Sequence, residues 1–424
     1  MPLTSTRAPR DPVRRLTSTL YGYAFLEECV LLYPVYALLF SDTGLSVGEI
    51  SSLFALWSIT NIVLEIPSGA WADAVSRRLL LCLGPLFTAA GFALWVLLPS
   101  YGSFAAGFVL WGIGGALASG AMEALVHDEL DRLGAAGRYA RVMGRARAAG
   151  LIAVMASMLL AGPVLTWGGH LAVGAASVLV CLLAAATATR FPEHRTPPAG
   201  HDRWTAALRS GLAEARADRS VRGALLLVPA VTAVWGALDE YTPLLVRDTG
   251  VADGTVPLLL LVIWAGATAG SLLAGEGERL GTTGLAVLLA VAALALAAGS
   301  AAGTPSGVLL VAVAFGGFQA ATVLADARLQ RRIGGAGRAT LTSVAGLGTE
   351  LATVAVFGGY ALLAARAPHG TVFAVFAVPY LVTALCLVLA RPRRARPGLS
   401  EEASPGAAAG DGAEAVTAPR DADR

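Results

Sequence analysis

Five carboxylates stand inside otherwise apolar stretches of this chain. Glu27 and Glu28 interrupt the middle of one hydrophobic run, Asp239 and Glu240 the outer half of another, and Glu350 the middle of a third. A charge at the centre of a bilayer costs about 2.5 to 3.5 kcal/mol on insertion scales, so an acid at that depth is a functional candidate by default. No arginine shares the depth of these five, which favours a bound proton or a cationic ligand as the balancing charge. Hydrogen bonding to neighbouring helices is the plain structural alternative. Adjacent helical residues point about 100° apart, so at most one of Glu27 and Glu28, and one of Asp239 and Glu240, is expected to face a central cavity squarely.

Tyr23, Tyr33, Asn61, Trp264 and Gln319 are the other polar or aromatic groups at depth. Each is a candidate cavity-lining residue, with packing or interhelical hydrogen bonding as the alternative. The run Gly112, Gly114, Gly115, Ser119 and Gly120 reads first as close helix packing. Cys29, Cys82, Cys181 and Cys386 form no C-x-x-C pair, and the five histidines are scattered at span ends and loops, so neither disulfide nor metal site is expected. No phosphate loop, H-E-x-x-H or G-x-S-x-G appears. An enzyme, a nucleotide-driven pump and a bound cofactor are therefore disfavoured, and an ion gradient is the expected energy source.

The elements that must hold these groups are membrane helices. Of 424 residues, 56% are hydrophobic and only 14% charged, with mean hydropathy +0.66, where a soluble domain carries about 25% charged residues. A bilayer core needs roughly 20 apolar residues per helix. The chain supplies that length about twelve times between Leu16 and Ala390. The first run is too long and too acidic for a cleaved signal peptide and is expected to be retained. All 31 basic residues are Arg, and they fall on alternate loops and tails; only Arg247 and Arg366 lie on the other side. Positive loops stay cytoplasmic, so both termini are expected inside, in a multi-pass protein of the cell (inner) membrane.

The chain repeats itself. Leu38 to Gly44 resembles Leu244 to Gly250, and Leu133 to Arg138 resembles Ile333 to Arg338, at steps close to half the length. Two six-helix halves follow: residues 16–190 and 222–390. They are flanked by a cytoplasmic segment 1–15 and a tail 391–424 whose Gly, Ala, Pro and acid content reads as disordered. The linker 191–221 carries Trp204, Leu208, Leu212 and Ala215 at helical spacing and reads as an amphipathic helix on the membrane surface. Its arginines alternate with acids, which argues against nucleic acid as a partner.

Between the second and third runs lies a sharp polar break, with Gly69, Asp73, Arg77 and Arg78 at set spacing. It resembles the signature loop of the major facilitator superfamily, G-x-x-x-D-x-x-G-R-[RK], and the preceding Glu65-Ile66-Pro67-Ser68 resembles its drug-efflux-like bacterial members. Ser76 stands where that family usually has Gly, which predicts a less tight turn. The resemblance covers most of the chain and implies an all-α transporter of twelve helices. In such a protein two halves rock around a small-molecule site near the bilayer midplane. The fold can work as a monomer.

Within that frame Asp73 is a latch candidate against the start of the eleventh span, an electropositive helix N-terminus. Arg77 is expected to pair with Glu123 or Asp128. The equivalent loop of the second half, Gly275 to Gly281, has lost this spacing, so any such latch is asymmetric. Gly150, Gly162-Pro163 and Gly168-Gly169 resemble the Gly-Pro motif of family exporters, although the last glycines stand two positions late. Proton-coupled export of a small amphipathic or cationic compound is the preferred expectation. Proton-coupled import of a nutrient and a non-transporting membrane sensor are the alternatives.

Overall fold

The computed structural model describes residues 12–118, 120–194, 219–277, 279–332 and 338–389, with the side chains of 65–74, 219–220 and 338–340 excluded. The surface part of the linker, the tail and the first eleven residues expected above lie outside these. The described chain is helical: α1 Pro12–Glu28, α2 Tyr36–Asp42, α3 Val47–Ala74, α4 Arg77–Leu97, α5 Tyr101–Ala118, α6 Ala121–Arg132 and α7 Tyr139–Ala188 make the first half. The second half holds α8 Arg219–Asp239, α9 Thr242–Arg247, α10 Val256–Gly277, α11 Thr282–Ala301, α12 Gly307–Arg332, α13 Arg338–Ala364, α14 His369–Val375 and α15 Val378–Leu389.

Among the described residues, ten segments are long and apolar enough to cross a membrane as they stand. One of them is two crossings, because α7 is broken at Gly169, whose φ of 64° and ψ of −165° only glycine adopts cheaply. A further crossing is divided into α1 and α2, neither long enough alone. Twelve spans result. Leucines such as Leu226, Leu272 and Leu389 remain 70 to 79% exposed, as expected where hydrocarbon rather than water is the solvent.

Spans 1 and 7 are interrupted at corresponding places, and the free backbone groups are matched locally. In span 1 the helix stops at Glu28 and restarts at Tyr36; the Leu32 N–H donates to Ser177 Oγ on α7 at 3.0 Å. In span 7 it stops at Asp239 and restarts at Thr242, with Pro243 in the first turn of α9. One turn earlier Tyr380 of α15 inserts its hydroxyl into the ladder, accepting from Trp235 N at 2.7 Å and donating to Val231 O at 3.2 Å. Broken helices survive in a membrane only where neighbours satisfy such groups.

The halves meet on the face opposite the arginine-rich loops. There a single apolar cluster joins residues of both halves, including Phe40, Phe54, Phe108, Tyr241, Phe357 and Tyr360. Phe54 of α3 packs edge-on against Tyr241 at 5.3 Å, and Tyr241 stacks on Tyr360 at 3.6 Å. The Tyr241 hydroxyl donates to Ser51 Oγ at 2.7 Å across the seam. Gly162 of α7 lies so close to Gly254 that an added Cβ would meet its carbonyl oxygen at 2.2 Å. At the arginine-rich end the apolar core is divided. One cluster, with Leu16, Leu80, Leu125 and Phe191, belongs to the first half; another, with Val221, Leu329 and Leu341, belongs to the second.

Candidate functional site

A cavity of about 400 Å³ opens between the halves, lined by Glu27 and Glu28 from the end of α1 and by Asp239 and Glu240 from the end of α8. Both helix breaks therefore deliver their acids to one chamber. Aromatic rings form much of the remaining wall: Tyr33, Tyr36 and Trp111 from the first half and Trp264 from α10. Tyr33 stacks on Trp111 at 5.2 Å, and Trp57 stacks on it at 5.0 Å, so two near-parallel rings fix the Trp111 plane. Among the described residues no basic side chain lines the chamber. Carboxylates and π-faces together suit a cation, which aromatic rings also attract.

The expected turning-away of one acid in each pair is not what the structure shows. All four line the chamber, Glu27 and Glu28 as the last two residues of α1 and Asp239 and Glu240 at the end of α8. Tyr23, expected as a lining residue, is instead buried beneath it; its hydroxyl reaches Glu27 Oε1 at 3.5 Å and Leu81 O at 3.2 Å, so it positions Glu27. Trp264 lines the chamber as expected. Asn61 on α3, Gln319 on α12 and Glu350 on α13 do not. Asn61 faces α5, where its Oδ1 lies 3.5 Å from the position a Cβ on Gly112 would occupy.

Sequence reasoning missed Tyr36, Trp111, Thr88 and Thr242 as wall residues, since rings and hydroxyls in spans carry no signal of direction. Gly150 does carry a legible role. A Cβ there would approach Glu28 Cγ to 3.2 Å, so the glycine lets α7 lie against the end of α1.

The signature turn is shorter than the sequence suggested. Helix α3 continues through Ala74, leaving Val75 and Ser76 between it and α4. Gly69 and Asp73 fall in the last turns of α3, and their side chains, with the proposed seat at the start of α13, lie outside the described residues. Ser76 has φ −56°, which any residue adopts, and its Oγ caps α4 by accepting from Leu79 N at 3.1 Å. A glycine is thus not needed there, and the hydroxyl gives a cap that glycine lacks. Arg77 pairs with Asp128 at 2.5 Å, while Glu123, the other expected partner, stands exposed on α6. Arg78 follows in the first turn of α4.

Glu193, from the first residues of the linker, accepts from Ser76 Oγ at 2.5 Å and from Arg77 N at 2.7 Å. Its neighbour His194 bonds the buried Glu129, which also holds Arg132 at 2.9 Å. Phe191 completes the anchor, edge-on to Tyr23 at 5.7 Å.

On the opposite face a charged cluster crosses the seam. Arg247 of α9 reaches Asp42 of α2 at 2.6 Å and Asp253 at 2.8 Å, and His170 bonds Asp42 at 2.8 Å. The hydrogen bond that Arg247 donates to Asp253 holds the guanidinium above its ordinary pKa, against partial burial, with Asp42 adding to the effect. Arg247, one of two arginines on the sparse side of the topology, is the bridge there.

The model of the Major Facilitator Superfamily matches residues 28–354 of this chain. The chain belongs to that family. Membership makes it a membrane transporter rather than an enzyme. Solved structures agree on the fold. A nucleoside transporter, NupG, is matched with TM-score 0.71 at 12% identity, over 89% of this chain and 98% of that one. A bacterial homologue of the human lysosomal transporter Spinster, in an inward-facing conformation, is matched with TM-score 0.64 at 17% identity, over 90% and 96%. A D-xylose-proton symporter is matched with TM-score 0.62 at 16% identity, over 88% and 96%. The search of curated proteins gave no match.

Proposed function

We propose that this chain is a proton-coupled exporter of small organic cations that works by alternating access. The observation carrying the reading is the chamber wall, with four carboxylates and no base among the described residues. A carboxylate that holds a proton no longer holds a cation, so the two compete for one set of oxygens. Competition makes exchange. Protons entering from the proton-rich side displace the cation, and the cation leaves on that side. With the proton gradient directed into the cell, exchange is export.

Positive loops placed inside make the divided end cytoplasmic. The halves then share an apolar cluster outside and keep separate clusters inside among the described residues, which suits the pose in which an exporter loads. The same rule puts both termini in the cytoplasm, and a monomer in the cell membrane suffices because both halves are in one chain. Asp73 is read as an inner latch, to be tested as Asp73→Asn: unchanged transport rate and conformational distribution in proteoliposomes would remove that role.

The direct test uses ethidium, an aromatic cation, and proteoliposomes with an imposed pH difference. Ethidium should accumulate in acid-loaded vesicles as protons leave, and Glu27→Gln with Asp239→Asn should abolish the accumulation. Accumulation driven by protons entering with ethidium would mean symport. No driven flux for ethidium or any other screened cation or nutrient would favour the sensor reading.

A further inference from the structure

A second, smaller hollow lies on the arginine-rich face between the start of α1 and the start of α7. Its volume is about 290 Å³, and Arg14, Thr17 and Tyr21 line one wall while Arg138, Arg141 and Arg145 line the other. The spacing is that of two helix faces, i, i+3, i+7 on α1 and i, i+4 on α7. Among the described residues no acid lines the hollow, and none of these four arginines has an ion-pair partner. Like charges at i, i+4 repel, so four guanidinium groups around one hollow without an anion are unbalanced. The Tyr21 hydroxyl beside them is a further hydrogen-bond donor to phosphate oxygens, whereas the Thr17 hydroxyl is spent on the Val13 carbonyl at 3.0 Å.

We propose that this hollow binds the headgroup of an anionic phospholipid. What selects a lipid over a soluble anion is the surface below it. The α7 face that carries Arg141 and Arg145 continues at helical spacing through Ile152, Met155 and Leu159, which are 55, 44 and 49% exposed. An acyl chain can lie along that stripe while the phosphate sits among the arginines. Basic pockets between helices at this level of a membrane have the chemistry anionic headgroups need. The site is separate from the acidic chamber, since the two share no lining residue.

The test is equilibrium binding of phosphatidylglycerol, with phosphatidylcholine as reference, to the full-length protein in detergent. The wild type should prefer phosphatidylglycerol. Arg141→Gln with Arg145→Gln should weaken it by roughly 30-fold, at about a fivefold loss per arginine. Arg14→Gln with Arg138→Gln, from both walls, should do the same. Arg190→Gln with Arg222→Gln removes equal charge from exposed positions outside the hollow and should leave the affinity unchanged. Glycerol 3-phosphate at matching concentration should not compete. Equal weakening by the control pair, retention of affinity in both hollow variants, or full competition by glycerol 3-phosphate overturns the proposal.

Discussion

Glu27, Glu28, Asp239 and Glu240 line the same chamber, and none has a basic neighbour there among the described residues; on the proposed function they hold the cation as one unit. A hydrogen bond to a charged group is worth about 1.5 to 3 kcal/mol, so Glu28→Gln should weaken ethidium binding by roughly tenfold or more. The wild type should also bind less as pH falls, because the charged form of a carboxyl holds the cation and protonation removes it. A Glu27→Gln, Glu240→Gln double variant should show a flatter pH profile; fluorescence titration across pH measures both effects. Trp111→Ala should cost a further 0.5 to 2 kcal/mol or so through the lost π-face. An unchanged affinity would place the cation elsewhere.

The broken helices place both pairs of acids at one chamber. In both spans the acids stand at the helix end that borders the opening. The breaks depend on borrowed hydrogen bonds. Ser177→Ala removes the partner of the Leu32 N–H, and Tyr380→Phe removes the hydroxyl that bonds both the Trp235 N–H and Val231 O. Each should destabilise the protein by about 1 to 3 kcal/mol, read as a lowered melting temperature in detergent. If Tyr380→Phe melts with the wild type, the inserted hydroxyl is not what keeps span 7 open at that turn.

Among the described residues, one apolar cluster joins the two halves on one face, and separate clusters serve each half on the other. The seal joins stacked rings, the Tyr241 to Ser51 hydrogen bond and the Asp42, Arg247 and Asp253 cluster. Tyr241→Phe removes one hydrogen bond, worth about 0.5 to 1.5 kcal/mol, and should raise the population open on that face by roughly 2- to 12-fold. Arg247→Gln should act in the same direction and weakly, since partly exposed ion pairs contribute about 1 kcal/mol or less. Spin-label distances between Asp42 and Asp253 replaced by cysteine would miss the native cluster, so the labels belong on Thr43 and Thr249 nearby. A distance distribution unchanged by both substitutions would show that the rings alone hold the seal.

Much of this was legible in the chain itself. Apolar length fixed twelve crossings, because bilayer thickness is a one-dimensional constraint that a sequence meets or fails. Arginine placement picked out the two faces, and the half-length repeat set the division into two halves, since both are local features of sequence. The Gly69 to Arg78 spacing led to the family for the same reason. What faces what was decided only by tertiary structure. The Glu27–Glu28 and Asp239–Glu240 pairs sit 211 positions apart along the chain, counting from Glu28 to Asp239, and meet only because two helices break where they do and two halves close around them. Asn61, Gln319 and Glu350 had equal standing as polar groups at depth, yet their helices turn them elsewhere. Apolar periodicity cannot separate those cases in a helix that is hydrophobic all round. The direction of a side chain in such a helix is set by the neighbours it packs against.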